Sequence, residues 1–549
     1  MDTNFHFIDY LIFGIYAVLI IGLGLWVSRT KKGKQKNAED YFLASKALPW
    51  WAIGASLIAA NISAEQIIGM SGSGFAGGLA IATYEWMGAA TLLIVGKYFL
   101  PVFIKKGIYT IPQFVEQRYN KTLKSILAIF WIALFIFVNL TTVLFLGAKA
   151  IDTILGTGDG SLLIPAIIGL SFVAAAYSLY GGLSAVAWTD IIQVVLLVLG
   201  GIITTLIALD KVTPDGGVLN GLSHMFDVAD DKFHMILKRD NPEYFNMPGV
   251  GMLIGGMWVA NLYYWGFNQY IIQRTLAAKS LKESQRGIAF AAFLKLIIPL
   301  FIVVPGILVF ILFSQPEGTN IIPGITEVFT KADGSVNYDK AYPWLISSFV
   351  PTGLKGLVVA ALAAAIVSSL ASMLNSTSTI FTMDIYRQYI NKDADDRQTV
   401  KVGRISAAVA LLIAISIAPL LKSLPQVFQG IQEWTGIVSP GILAVFLMGL
   451  FWKKANARGA ITGALASIPI ALVLKLSIME LPFMDQMLYT TLISMVVIAG
   501  VSLTSGKEGR DDDPKGISLS PEMFKTGKTF NISAYAIMLM LVFLYAYFW

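Results

Sequence analysis

Apolar runs of about 20 residues recur along the whole of this 549-residue chain, each long enough to cross a bilayer core of ~30 Å. No water reaches backbone N–H and C=O groups inside lipid, so such runs must satisfy those groups internally, as helices. They are too long and continuous for the alternating strands of a membrane barrel. Composition agrees: 56% of residues are hydrophobic, 13% are charged, and the mean hydropathy is +0.69. A soluble chain of this size needs far more charge to cover its surface. The expected fold class is all-α and polytopic, in the lipid bilayer.

The runs place about fourteen spans. They lie at 8–28, 47–73, 79–104, 124–149, 161–179, 185–208, 249–274, 286–314, 353–385, 402–420, 424–451, 458–478, 482–504 and 530–549. The first lacks a basic leading region and a cleavage site, so it reads as a span and not as a removed signal. Every second loop, apart from one short uncharged turn at 180–184, is rich in Lys and Arg. The first carries Arg29, Lys31, Lys32 and Lys46; later ones carry Arg118 and Lys124, Arg274 and Arg286, Arg387 and Arg397, Lys453 and Arg458, then Lys507 to Lys528. The positive-inside rule puts these loops in the cytoplasm and both termini outside. One missed span would invert the alternation downstream, so the pattern checks the count.

Several chemistries are excluded. The chain has no Cys, which removes disulfides, thiolate nucleophiles and Cys-ligated zinc. Its three His residues, His6, His224 and His234, fall near an end or in a loop, so no His-based metal site and no cofactor are expected. The net charge of +6 follows from the loops, and nucleic acid is not an expected partner. Two long outer segments, 209–248 and 315–352, read as covering elements over the outer face. No soluble enzymatic domain is present, and no motif fixes an oligomeric state.

The informative residues are the polar ones inside spans, because burying an ionisable group there costs several kcal/mol unless it is paired or hydrated. Glu65, Glu85, Asp190, Lys295 and Glu433 qualify, with amides at Gln66, Asn261 and Gln432. Each alone could be polar glue between helices. Spread over separate helices, the set reads better as one shared site. "AANISAEQ" (59–66) and "ANLYYWGFNQY" (260–270) each interrupt an apolar helix. Breaks at corresponding places in two halves mark a binding site near the bilayer midplane. Counted after an extra first span, they fall in members one and six of a ten-helix core, as two inverted five-helix repeats require. The layout is then 1–46, a first helix and basic loop; 47–208, the first repeat; 209–248, an outer segment; 249–451, the second repeat; and 452–549, three further helices.

A third polar lining is "AAAIVSSLASMLNST" (363–377). Ser368 and Ser372 are four apart and share a face; Ser369 lies about 100° round. Close helix packing is one reading of these small residues. A cation site is the other. Na⁺ takes oxygen ligands, which hydroxyls and carbonyls freed by an unwound break at 59–62 supply.

Together, "YSLYGGLSAVAWTD" (177–190), "NQYIIQRTLAAKS" (268–280), "AANISAEQIIGMSGSGF" and "AAAIVSSLASMLNST" resemble the sodium/solute symporter family, and within it the bacterial sodium/glucose type. The resemblance runs from about residue 8 onward. It implies the leucine-transporter fold, alternating access, and Na⁺ as the only metal ion, carried as cargo. It implies sodium ligands at the carbonyls of Ala59, Ile62 and Ala365 and the hydroxyls of Ser368 and Ser369. It implies sugar ligands at Gln66, Glu85, Asn261, Lys295 and Gln432. Tyr264, beside Trp265, resembles the aromatic that stacks on the sugar and closes the inner side. Met70 and Phe428 resemble the outer apolar cover. Asn61 is implied as the link from the broken helix to the substrate, and Asp190 as a station on the inner sodium route. Where galactose-type members carry a Ser in the stretch reading "YEWMG", this chain has Gly88, so one expected hydroxyl contact is missing there.

The residues argue for a neutral polyol independently. Glu85 and Lys295 cancel in charge, amides both donate and accept as hydroxyls do, and Tyr264 suits the C–H face of a sugar. An amino acid, inositol or sialic acid as the solute of a sodium symporter is the alternative. A solute receptor that does not translocate lacks a signalling domain to serve, and a membrane enzyme lacks a catalytic constellation.

Overall fold

The computed structural model describes residues 5–29, 37–108, 110–155, 160–315, 322–331, 334–423, 427–478, 480–505 and 513–549, except for the side chains of residues 177 and 422–430. Among the described residues the chain is helical almost throughout, and extended pairing is confined to two isolated bridges, Leu48 with Ala278 and Thr330 with Val336. Twelve helical stretches are long and apolar enough to cross a membrane. The two expected spans that fail that criterion, 47–73 and 249–274, are the two that hold a break.

The first helix, α1 (Phe7–Val27), exposes apolar side chains such as Val18 and Leu19, as a lipid-facing helix must. Next, α2 (Trp50–Asn61) stops inside the membrane: Ile62 turns to an extended backbone at φ −78°, ψ 98°. The chain resumes as a π-helical turn, Glu65–Met70, and then α3 (Ser71–Gly77). Gly78, at φ +77°, turns it towards α4 (Thr83–Ile94). A long helix, α5 (Leu183–Lys211), follows two further spans. The second interruption separates α6 (Gly256–Phe267) from α7 (Gln269–Leu276) at Asn268, φ −82°, ψ 120°. Then come α8 (Leu281–Phe313), α9 (Leu354–Ile380), α10 (Val427–Phe451), α11 (Ala457–Ser477) and, as the final helix, α12 (Lys528–Tyr547).

Small residues set how closely these helices approach. A Cβ on Gly287 of α8 would fall 2.8 Å from the Trp50 carbonyl and from Ile53, and one on Gly306 would collide with the Ser71 carbonyl. Helix α8 thus runs against both halves of the first broken helix, on either side of the break. Helix α9 is enclosed along nearly its whole length. Gly200 of α5 admits Ala361, and Gly147 admits Ile366.

Asp9 accepts from the N–H groups of Gly353 (2.7 Å) and Gly356 (2.8 Å), and Phe548 accepts from Met235 N–H (2.7 Å). Asp9 therefore lies with the segment 341–356, and Phe548 with the segment 218–249. Three cations assigned to basic loops are not loop residues in their environment. Arg118 is 1% exposed and donates to the carbonyls of Gly449, Trp452, Lys453 and Ala455, capping the end of α10. Lys124 is 4% exposed, 2.7 Å from Glu116 and 3.3 Å from Asp384. Arg274 is fully buried. Their charge is neutralised within the bundle, so it does not weigh on topology as free loop charge does.

Candidate functional site

Ser63 explains the first break. In a continuous helix its N–H would bond to the Ala59 carbonyl. Instead the N–H and the hydroxyl both donate to Gln66 Oε1, at 3.1 and 2.6 Å, while Ser63 Oγ accepts from Glu65 N–H at 3.1 Å. The break is a local cap that leaves the Ala59 carbonyl without its helical donor.

The broken helix opens on a cavity lined by Asn61, Gln66 and Met70, by Glu85 of α4, by Asn261, Tyr264 and Trp265 of α6, by Lys295 of α8 and by Gln432 of α10. Five helices separated in sequence, the broken one counted once, deliver these side chains to one place. At its centre Lys295 Nζ donates to Glu85 Oε2 at 2.5 Å and to Asn61 Oδ1. The ammonium also stands 4.9 Å from the centre of the Trp265 ring. Asn61 Nδ2 donates to the Tyr264 hydroxyl at 3.1 Å, which also accepts from Tyr270 at 2.7 Å. Trp265 Nε1 donates to Asn261 Oδ1 at 3.1 Å, and Asn261 Nδ2 is buried with no partner. The site therefore combines a neutralised ion pair, one unused amide donor and the rings of Tyr264 and Trp265, set edge to face at 5.1 Å. A Cβ at Gly88 would lie 3.1 Å from Trp265 Nε1 and 3.2 Å from Asn261 Oδ1. Gly88 thus leaves room beside the cavity.

A second cluster lies next to the break. Ser369 Oγ donates to the Ala60 carbonyl at 3.1 Å, joining α9 to the end of α2. Ser368 Oγ donates to Asp190 Oδ1 at 2.6 Å, and Ser56 Oγ to Asp190 Oδ2 at 2.5 Å. Arg274 completes this cluster. It reaches Asp190 Oδ2 at 3.2 Å and Ser56 Oγ at 2.5 Å, and it donates to Ser372 Oγ and to the Tyr270 carbonyl. The faces follow the helical spacing: Ser368 and Ser372 turn to Asp190 and Arg274, Ser369 to the break. Ala365 is buried on α9 one turn before Ser369. Hydroxyls and peptide carbonyls of this kind suit a hard monovalent cation such as Na⁺.

Two expectations are corrected. Glu433 does not join the shared site; its side chain is 39% exposed and pairs with Lys475 of α11 at 2.9 Å. Arg274 is no loop cation but the partner of Asp190. The signal was in the sequence: Arg274 falls in the helix that follows the second break, four residues after Tyr270. Glu65 is buried nearby with Oε1 unpartnered. Phe428 lies outside the residues whose side chains are described.

Two interrupted helices that meet at a polar centre inside an apolar bundle define a secondary transporter. The Sodium:solute symporter family model matches residues 41–467, and the chain belongs to that family. It is 62% identical over 549 residues to the sodium/glucose cotransporter of Vibrio parahaemolyticus, covering 100% of this chain and 99% of that one. It is 34% identical over 484 residues to the sodium/myo-inositol cotransporter 2 of Bos taurus, covering 85% and 69%. It shares the fold of a Na⁺-coupled sialic acid symporter solved in a substrate-bound outward-open state, with a TM-score of 0.77 and 24% identity over 91% of this chain and 98% of that one. The protein is a sodium-coupled symporter, with Na⁺ as the co-transported ion.

Proposed function

We propose that this symporter imports a neutral monosaccharide of the galactose or glucose type. The observation that carries the reading is the Lys295–Glu85 pair at the cavity centre. With its charge already met by Glu85, Lys295 has no demand for an anionic substrate, yet both groups keep hydrogen-bonding capacity for hydroxyls. Gln66, Asn261 and Gln432 add amides, and Tyr264 offers a ring to the C–H face of a pyranose. The 62%-identical sodium/glucose relative supports the same substrate class. A second reading, myo-inositol, is favoured by relatives such as the bovine one, and it is also an uncharged polyol. A carboxylate-bearing solute fits less well, because no unpaired cation lines the described part of the cavity.

In this reading Na⁺ is held by the carbonyls of Ala59, Ile62 and Ala365 and the hydroxyls of Ser368 and Ser369. Ion binding fixes the geometry of the break, and the break carries Asn61 and Gln66 into the sugar site. Each ligand then favours the other. At about 100 mV, one inward Na⁺ supplies ~2.3 kcal/mol from voltage alone. Asp190 receives the ion on its inner route, Tyr264 and Trp265 close the inner side of the sugar, and Met70 and Phe428 cover the outer side.

The architecture that goes with it is fourteen crossings in a leucine-transporter arrangement. Residues 47–208 and 249–451 form two inverted five-helix repeats, flanked by 1–46, 209–248 and 452–549. Both termini face outward across a bacterial inner membrane. The deciding experiment is uptake into proteoliposomes of labelled galactose, glucose and myo-inositol under an inward Na⁺ or K⁺ gradient. Accumulation of a hexose with Na⁺ alone is the expected result; sodium-driven uptake of inositol with no hexose transport selects the second reading, and no sodium-dependent uptake of any of them overturns both.

A further inference from the structure

On the outside of the bundle, α2, α8 and α12 enclose an apolar groove of about 490 Å³. It opens laterally, since its lining residues Phe293 and Met540 are 42% and 46% exposed. The groove is graded along its length. Its rim holds Arg286 on α8 and Thr529 on α12; Ser533 lies one turn deeper, and beyond that the lining is wholly apolar with Phe293, Ile537 and Met540. Arg286 is incompletely satisfied there. Its Nη1 stands 3.5 Å from Glu283 Oε1, a marginal contact, while Glu283 Oε2 accepts the Trp50 N–H at 2.9 Å. The Nε of Arg286 is buried and has no partner. Lys528, next to Thr529, adds a second cation at the start of α12.

We infer that this groove binds one anionic phospholipid of the cytoplasmic leaflet, with its phosphate at Arg286 and an acyl chain laid against Phe293 and Met540. The charge at the rim and the apolar depth beyond it match the two ends of such a molecule, and basic pockets between helices on the cytoplasmic side are where acidic headgroups bind. A zwitterionic lipid offers the same chains but no net charge to Arg286. The lipid would touch Trp50, the first residue of the broken helix, and α8, which carries Lys295.

Native mass spectrometry of the full chain in detergent, titrated with phosphatidylglycerol or phosphatidylcholine of identical chains, tests this. Micelles have no sidedness, so the result does not depend on the orientation proposed above. The wild type is expected to retain the first phosphatidylglycerol roughly fivefold more strongly than phosphatidylcholine, the effect of one well-placed cation. Arg286→Gln should abolish that preference and Arg286→Lys should keep it. Ala536→Trp, which fills the groove and leaves Arg286 in place, should also remove the tight first lipid. Equal retention of the two lipids by the wild type overturns the proposal, and so does an unchanged preference in Arg286→Gln or in a folded Ala536→Trp protein.

Discussion

Ser369 Oγ and the Ala60 carbonyl meet at 3.1 Å, and this bond joins the small-residue helix α9 to the end of the broken helix α2. The hydroxyl proton points at the carbonyl. A cation held by the Ser369 oxygen would require that hydroxyl to give up its bond to Ala60 and turn its lone pairs to the ion. The same residue thus serves the helix contact and the proposed ion site. Ser369→Ala removes one oxygen and leaves the methylene in place. It should raise the Na⁺ concentration for half-maximal uptake about tenfold, the size expected for one lost charge-assisted contact, with the melting temperature little changed. An unaltered sodium dependence removes Ser369 from the ligand set.

Much of this region was legible because polar residues inside an apolar helix have few inexpensive explanations. Asn61, Ser63 and Gln66 announced the first break, and helical spacing alone separated the Ser368–Ser372 face from Ser369. What periodicity leaves open is which way a helix faces when both sides are covered. Gln432 and Glu433 are neighbours about 100° apart on α10; only Gln432 reaches the cavity, while Glu433 turns to Lys475. Counting charge by loop was misleading for the same reason. Arg274 and Lys124 sit near span ends in the sequence, but their partners Asp190 and Asp384 are distant in the chain and visible only once the helices are packed.

Lys295 and Glu85 make a second test. Removing one member of a buried ion pair strands the other, at about 3–5 kcal/mol, whereas replacing both by neutral groups is often close to neutral. Lys295→Met should therefore lower the thermal stability of the purified protein and abolish uptake. The double variant Lys295→Met with Glu85→Gln should recover most of the stability and still not transport. Recovery of uptake in the double variant would show that the charges hold the bundle together without contacting substrate.

Gly88 addresses selectivity. A Cβ there meets Trp265 Nε1 and Asn261 Oδ1 at 3.1 and 3.2 Å, tight enough that these side chains must give by a few tenths of an ångström. In Gly88→Ser the added hydroxyl can donate to Asn261 Oδ1 or face the cavity. Either outcome changes the hydrogen-bond pattern offered to the sugar, and a mismatched buried hydroxyl costs ~1–3 kcal/mol. The ratio of galactose to glucose competition against labelled uptake should shift by roughly tenfold, with maximal rate less affected. An identical competition profile would mean that this wall of the cavity does not touch the hydroxyl that distinguishes the two sugars.

The coupling itself can be measured without transport. Asn61 directly precedes the break and Gln66 accepts from Ser63 within it, so whatever orders residues 59–63 also orders part of the sugar site. If Na⁺ lowers the sugar dissociation constant by some factor, the sugar must lower the Na⁺ dissociation constant by that same factor. Equilibrium binding to detergent-purified protein should give equal factors, in the range of about 5–150 typical of coupled sites. Ser369→Ala should weaken sugar binding in saturating K⁺ hardly at all, yet reduce the gain that Na⁺ confers. Gln66→Ala removes both a sugar ligand and the acceptor that caps Ser63, so it should weaken sugar in both ions and lower Na⁺ affinity in the absence of sugar as well. The opposite assignment, with Ser369→Ala weakening sugar equally in K⁺ and Na⁺, would place that hydroxyl in the sugar site and break the proposed division between the two faces of the interrupted helix.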